Sequence, residues 1–253
     1  MHKIFIIYLS VILLGLLQSC NSERASNSVG TASTSPKKSA DPLKLYKEGL
    51  YNEAYKILIA KVEKLTPEEQ EVFGSLFLHG LGVKQDLVEA QRWLRASALR
   101  GHAKANSLLG YMYENGLGVP QSFTQAKNLY RKAANSGDPL GMNNLGHLYD
   151  KGKGVTQDQE IAFKWYDKAA QRGDNSALNN AGWALVNGLG TEQNVEKGIE
   201  YLKLSANKGN TLAMRNLGTV YGNLPGEENT KRSRKWMKEY NILNRSYKKT
   251  LGK

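Results

Sequence analysis

The chain has 253 residues, with 35 Lys or Arg against 23 Asp or Glu, a formal net charge of +12, four His and one Cys. A single cysteine excludes an internal disulfide. The basic balance favours an anionic surface or an acidic partner.

Residues 1–19 read as a targeting segment and not as part of the fold. Lys3 gives a positive start, and Ile4 to Leu17 is an apolar run too short for a comfortable membrane span. The run ends in Leu17-Gln18-Ser19-Cys20, which resembles a bacterial lipoprotein signal with small Ser19 before the cleavage point. The resemblance implies a lipid on Cys20, the one cysteine in the chain. Several acyl chains on one residue anchor firmly where a single chain is marginal. Residues 20–41 are then the lipidated cysteine and a tether rich in Ser, Thr, Ala and Asn, expected to be disordered. Asn21 stands where an aspartate would resemble an inner-membrane retention signal, so the expected location is the periplasmic face of the bacterial outer membrane.

Residues 42–66 carry apolar side chains at helical spacing and read as a degenerate helix hairpin that caps the N-terminal end of the fold. Thr66 then caps the next helix, with Pro67 at its first position.

From about residue 67 to 226 the chain repeats itself. Gly74, Gly110, Gly146, Gly182 and Gly218 are spaced by steps of 36 residues. The pair Gly116/Gly118 recurs at Gly80/Gly82, Gly152/Gly154 and Gly188/Gly190, and Gly137 recurs at Gly101, Gly173 and Gly209. A fixed period of this size marks a stacked repeat architecture. Ala103 to Asn115 has helical spacing at Ala105, Leu109, Met112 and Tyr113, and the loop Gly116 to Pro120 ends that helix. Ser122 opens a second helix, as Asp86, Asp158 and Asn194 do elsewhere, and Gly137 closes it. Asp138, Asp174, Asn210 and, less well, His102 precede the next helix. Each repeat is therefore predicted to be a helix hairpin. Gly110 sits inside a helix at a cost of about 1 kcal/mol relative to alanine. Its recurrence predicts close packing against the small row Ala90, Ala126, Ala162 and Gly198. Two larger rows, Phe77, Tyr113, Tyr149, Leu185, Tyr221 and Trp93, Leu129, Trp165, Tyr201, are expected to fill the remaining core.

Leu-Gly-x-x-Tyr, Gly-x-Gly-Val and Lys-Ala-Ala-x-x-Gly-Asp within 36 residues resemble the Sel-one-like repeat (SLR), a relative of the tetratricopeptide repeat. Residues 139–174 carry the pattern most fully: Asn144-Leu145-Gly146, Tyr149, Gly152, Gly154-Val155, Asp158, Ala162, Trp165-Tyr166, Lys168-Ala169-Ala170 and Gly173-Asp174. The resemblance implies an all-α fold, a right-handed α-solenoid. It also implies an adaptor or binding scaffold in place of a catalyst.

Residues 227–253 are expected to form a C-terminal capping helix and basic tail. They hold Lys231, Arg232, Arg234, Lys235, Lys238, Arg245, Lys248, Lys249 and Lys253 against Glu227, Glu228 and Glu239. Anionic lipid or an acidic partner suits this segment; nucleic acid does not suit a periplasmic lipoprotein.

Recognisable catalytic chemistry is not expected, nor is a metal or cofactor. His79, His102 and His147 lie in different repeats without metal-ligand spacing, and the Gly-Leu-Gly loops lack the Gly-Lys-Ser/Thr of a phosphate loop. The expected site is a surface for another protein, on the helix that opens each repeat. Stepping by 36 from Tyr111 gives His147, Trp183 and Thr219; stepping from Ser107 gives Asn143, Asn179 and Arg215. These eight are taken as outward, with Trp183 as an anchor whose loss would barely alter fold stability. Asn144, Asn180 and Asn216 are expected to bond between helices instead. Two roles resemble SLR uses: an immunity protein that neutralises a secreted toxic effector such as a phospholipase, and an adaptor in envelope assembly. A peptidoglycan-acting enzyme is the remaining alternative.

Overall fold

A computed structural model of the chain describes residues 41–250, with side chains to residue 246. The targeting segment, Cys20 and all of the expected tether except Asp41 lie outside the described residues, as do the side chains of Lys248, Lys249 and Lys253. Asp41 is not tether: its carboxylate accepts from the Leu43 backbone N–H at 2.9 Å and opens the first helix.

The described residues form twelve α-helices and no strand. They divide into two compact units, residues 41–136 and 137–250. The first contains α1 (Pro42–Lys47), α2 (Tyr51–Ala60), α3 (Pro67–His79), α4 (Leu87–Leu99), α5 (Ala103–Asn115) and α6 (Phe123–Asn135). The second contains α7 (Pro139–Lys151), α8 (Gln159–Gln171), α9 (Asn175–Asn187), α10 (Val195–Asn207), α11 (Thr211–Asn223) and α12 (Glu227–Thr250). Within each unit consecutive helices pack on one another as hairpins in series, the arrangement of an α-solenoid.

Each boundary has a local cause. Thr66 and Glu69 form a reciprocal capping box at the start of α3, and Asp86, Ser122, Asp158 and Asn194 accept from the first-turn amides of α4, α6, α8 and α10. His102, the weakest of the expected caps, makes no side-chain cap bond to α5. The opening helices α3, α5, α7 and α9 each end on a left-handed glycine. A glutamine five residues past that glycine then closes the loop. Gln85, Gln121, Gln157 and Gln193 each donate to a last-turn carbonyl, those of Leu78, Glu114, Asp150 and Val186, at 2.7–2.8 Å. The side-chain amide thus satisfies a helix C-terminal acceptor that would otherwise need water.

Gly118 shows why the loop needs a second glycine. Its φ is +66°, and a Cβ there would lie 2.7 Å from Leu87 Cβ and 2.9 Å from the Leu87 carbonyl oxygen. Inside the helices the recurring glycine makes room for a side chain as well as for a backbone. A Cβ on Gly146 would fall 2.9 Å from the Tyr166 ring and 3.1 Å from the Ala162 carbonyl oxygen. The buried row is accordingly Leu94, Tyr130, Tyr166 and Leu202. The row one residue earlier, expected to be core, is only half-buried at Leu129, Trp165 and Tyr201. Tyr201 instead reaches sideways from α10 and donates to Asp167 Oδ1 on α8 at 2.9 Å. Burial, then the adjacent Asp167 carboxylate, pushes its phenol up to about 12.

In each unit an atypical element covers part of the core. In the first unit Leu43, Tyr46, Tyr51 and Tyr55 of α1 and α2 pack on Phe73, Leu76 and Trp93. In the second, Trp236, Tyr240 and Leu243 of α12 pack on a cluster that includes Leu217 and Tyr221.

Candidate protein-binding surface

The opening helices of the second unit are tied together by asparagines. Asn216 on α11 donates to Asn179 Oδ1 on α9 at 2.9 Å, and Asn180 on α9 donates to Asn143 Oδ1 on α7 at 3.0 Å. Asn179 donates to Asn180 at 3.2 Å and Asn143 to Asn144 at 3.3 Å, which links the five amides into one relay across three helices. Asn180 and Asn216 thus bond between helices as expected, whereas Asn144 accepts from Asn143 on its own helix. Asn143 and Asn179, expected to face outward, are buried in the same relay. The reason is geometric: this register faces the next opening helix and not solvent. In the first unit the equivalent Glu71 on α3 is also buried, and pairs with Lys104 on α5 at 3.1 Å. Ser107 is fully buried too, so its placement as an outward residue is likewise corrected.

The other row behaves differently. His147 and Trp183 are half-buried, and with Asn179 they line an open pocket of about 510 Å³ in the second unit. Leu140, Phe163, Leu189 and Leu212 supply its apolar walls, and Asn180, Asp150 and Lys151 its polar groups. Trp183 has two roles. It lines the pocket and it packs on the core cluster of α10 and α11, so it is not the solvent-facing side chain expected. Arg215 and Thr219 are exposed on α11 but do not line the pocket. Tyr111, in the first unit, is half-buried, and burial followed by Glu114 raises its phenol above the ordinary value.

Sequence reasoning missed the pocket's walls. Their signal was present: stepping by 36 from Leu140 gives Ser176 and Leu212, both of which line it. Leu140 lies one heptad before His147, on the same helix face.

The pocket's electrostatics suit binding more than proton transfer. Burial pushes the Asp150 carboxyl up, but hydrogen bonds from Lys151 and from Gln159 Nε2 at 2.8 Å outweigh it and hold the group below its ordinary value. A carboxylate held down in this way is a weak base at neutral pH. Asp174 is shifted up by burial, yet its carboxylate is engaged as the cap of α9, accepting from Ala177 at 2.7 Å. Among the described residues no three His, Cys, Asp or Glu side chains gather to hold a metal ion.

The fold is shared with solved structures. A Sel1 repeat protein from Oxalobacter formigenes is similar with a TM-score of 0.71 and 28% identity, covering 82% of this chain and 90% of that one. The protective antigen c5321 of uropathogenic Escherichia coli, which displays an SLR fold, is similar with a TM-score of 0.63 and 26% identity. That match covers 79% of this chain and 45% of the antigen. The immunity protein PA5088 from Pseudomonas aeruginosa is similar with a TM-score of 0.56 at 20% identity, covering 86% of this chain and 85% of that one, a likeness of fold alone. Among curated proteins none is significantly similar. The Sel1 repeat matches residues 74–102, 103–138, 139–174, 175–210 and 211–239, one hairpin after another, and the chain belongs to the Sel1 repeat family.

Proposed function

We propose that this chain is a non-catalytic, lipid-anchored scaffold of the bacterial envelope that binds a protein partner in the pocket of its second unit, and that it acts as an immunity protein by blocking a toxic secreted effector. One observation carries the binding reading: the pocket joins apolar side chains and Trp183 to polar groups that include asparagines of the interhelical relay. Large aromatic side chains in such pockets are favoured anchors for a partner. The immunity reading draws on the fold shared with the Pseudomonas immunity proteins, and the anchor on the Cys20 signal.

The test uses Leu212→Asp, because Leu212 lines the pocket while more than a third exposed, so the fold should survive the change. Cells challenged with a toxic secreted effector of the envelope, such as a phospholipase, should survive when they make the parent chain. They should lose that protection with Leu212→Asp, although the variant melts like the parent. Full protection by the variant would show that the pocket is not the binding surface. No protection by the parent would rule out the immunity role.

A further inference from the structure

The helix α12 has two faces of opposite character. Trp236, Tyr240 and Leu243 turn inward onto the core of the second unit. Lys231, Arg234, Lys235, Lys238 and Arg245 are all exposed. At 3.6 residues per turn these five fall within about a third of the helical wheel, opposite the packed face, along roughly 21 Å of helix. Ile242 lies in the same arc and is 53% exposed, an apolar side chain held in water among cations. Two carboxylates temper the start of the helix, where Glu227 pairs with Lys231 at 3.2 Å and Glu228 with Arg232 at 3.3 Å. Beyond them, among the described residues, no carboxylate pairs with Arg234, Lys235, Lys238 or Arg245.

We infer that the outer face of α12 docks on an anionic phospholipid surface, with its cations on the head groups and Ile242 entering the interface. A straight row of cations on the outer side of one helix matches a planar array of negative charge. An exposed aliphatic side chain inside that row gains by leaving water for the head-group boundary. An acidic protein would also attract the cations, but a single aliphatic side chain in a charged row offers it no apolar patch to bury, whereas the head-group boundary takes such a side chain singly. The contact is distinct from any lipid on Cys20, and it would lay this end of the molecule against the bilayer. Each basic residue near an anionic surface contributes about 1 kcal/mol. Removing three should therefore weaken binding on the order of 100-fold.

The experiment uses the chain without residues 1–20, which retains every residue from Asp41 onward and so the whole of both units. It is sedimented with vesicles of phosphatidylglycerol mixed with phosphatidylcholine, and with phosphatidylcholine alone. Binding to the mixed vesicles only is expected, fading as salt is added. The variant Arg234→Gln/Lys238→Gln/Arg245→Gln should lose that binding with an unchanged melt, and Ile242→Gln should weaken it. A control, Lys56→Gln/Lys84→Gln/Arg131→Gln, removes as many exposed charges elsewhere and should bind like the parent. Equal loss in the control would mean that only net charge matters, and the proposal fails. It also fails if the parent ignores the mixed vesicles, including the case in which the α12 cations are instead needed to hold an acidic protein.

Discussion

At the scale of single residues the repeat is governed by what a glycine leaves out. Gly146 lies in the middle of α7, where a Cβ would sit 2.9 Å from the Tyr166 ring and 3.1 Å from a backbone carbonyl oxygen. Alanine there would recover roughly 1 kcal/mol of helix propensity while pressing on the ring, so the two effects nearly offset. Leucine cannot be placed without moving α8. We predict that Gly146→Leu costs about 3 kcal/mol, read as a lowered midpoint in a denaturant titration. A midpoint like that of the parent would mean that α7 and α8 can separate freely, contrary to the burial of Tyr166. This constraint is visible in the sequence as an internal glycine recurring at a fixed step. Its counterpart is less so, because the ring that fills the space stands one residue beyond the tryptophan and tyrosine positions that look more like core.

At the scale of elements, helix ends were legible and helix rotation was not. Caps, left-handed glycines and the loop glutamine are local chemistry, and a period of 36 locates them by arithmetic. Whether a polar residue on an opening helix meets water or the next helix depends on how consecutive hairpins are turned against each other, which no local signal encodes. Asn143 and Asn179 lie on that undetermined side, and the structure buries both in the amide relay. His147 and Trp183, one turn further on, do open onto the pocket. The relay has an energetic consequence. Asn180 donates to Asn143 and accepts from Asn179, so Asn180→Ala leaves two mostly buried amide groups each short of a partner. Leaving buried polar groups unsatisfied costs about 1–3 kcal/mol. We expect a loss of that size for Asn180→Ala in thermal melts. The double variant Asn143→Ala/Asn180→Ala should lose less than the sum of the two single changes, because the removed partners had answered each other. Strict additivity would mean that the two side chains do not interact in solution.

At the scale of the whole molecule, stacked hairpins bury their apolar faces only where a last hairpin is covered, and in each unit a least repeat-like segment does the covering. The short pair α1 and α2 covers Phe73 and Leu76 in the first unit. In the second, α12 stands where the second helix of a hairpin would stand: Met237 comes against Gly218 as Leu202 comes against Gly182. The same helix is therefore cap on one face and basic stripe on the other, and the two roles can be separated. A chain ending at residue 226 loses Trp236, Tyr240 and Leu243 from the cluster around Leu217 and Tyr221. Full burial of one such side chain is worth about 1.5–3 kcal/mol, so three half-buried ones amount to roughly 3–4 kcal/mol. That is a large share of a typical domain stability of about 5–15 kcal/mol. The truncated chain is expected to melt well below the parent and to self-associate through the uncovered end, which size-exclusion chromatography would register as an early-eluting species. Charge removal along the outer face, as in Arg234→Gln/Lys238→Gln/Arg245→Gln, should leave the melt where it was, since those side chains are exposed. A truncated chain that stays monomeric and melts like the parent would show that the interior closes without α12, and the helix would then be an appendage whose apolar face needs some other explanation.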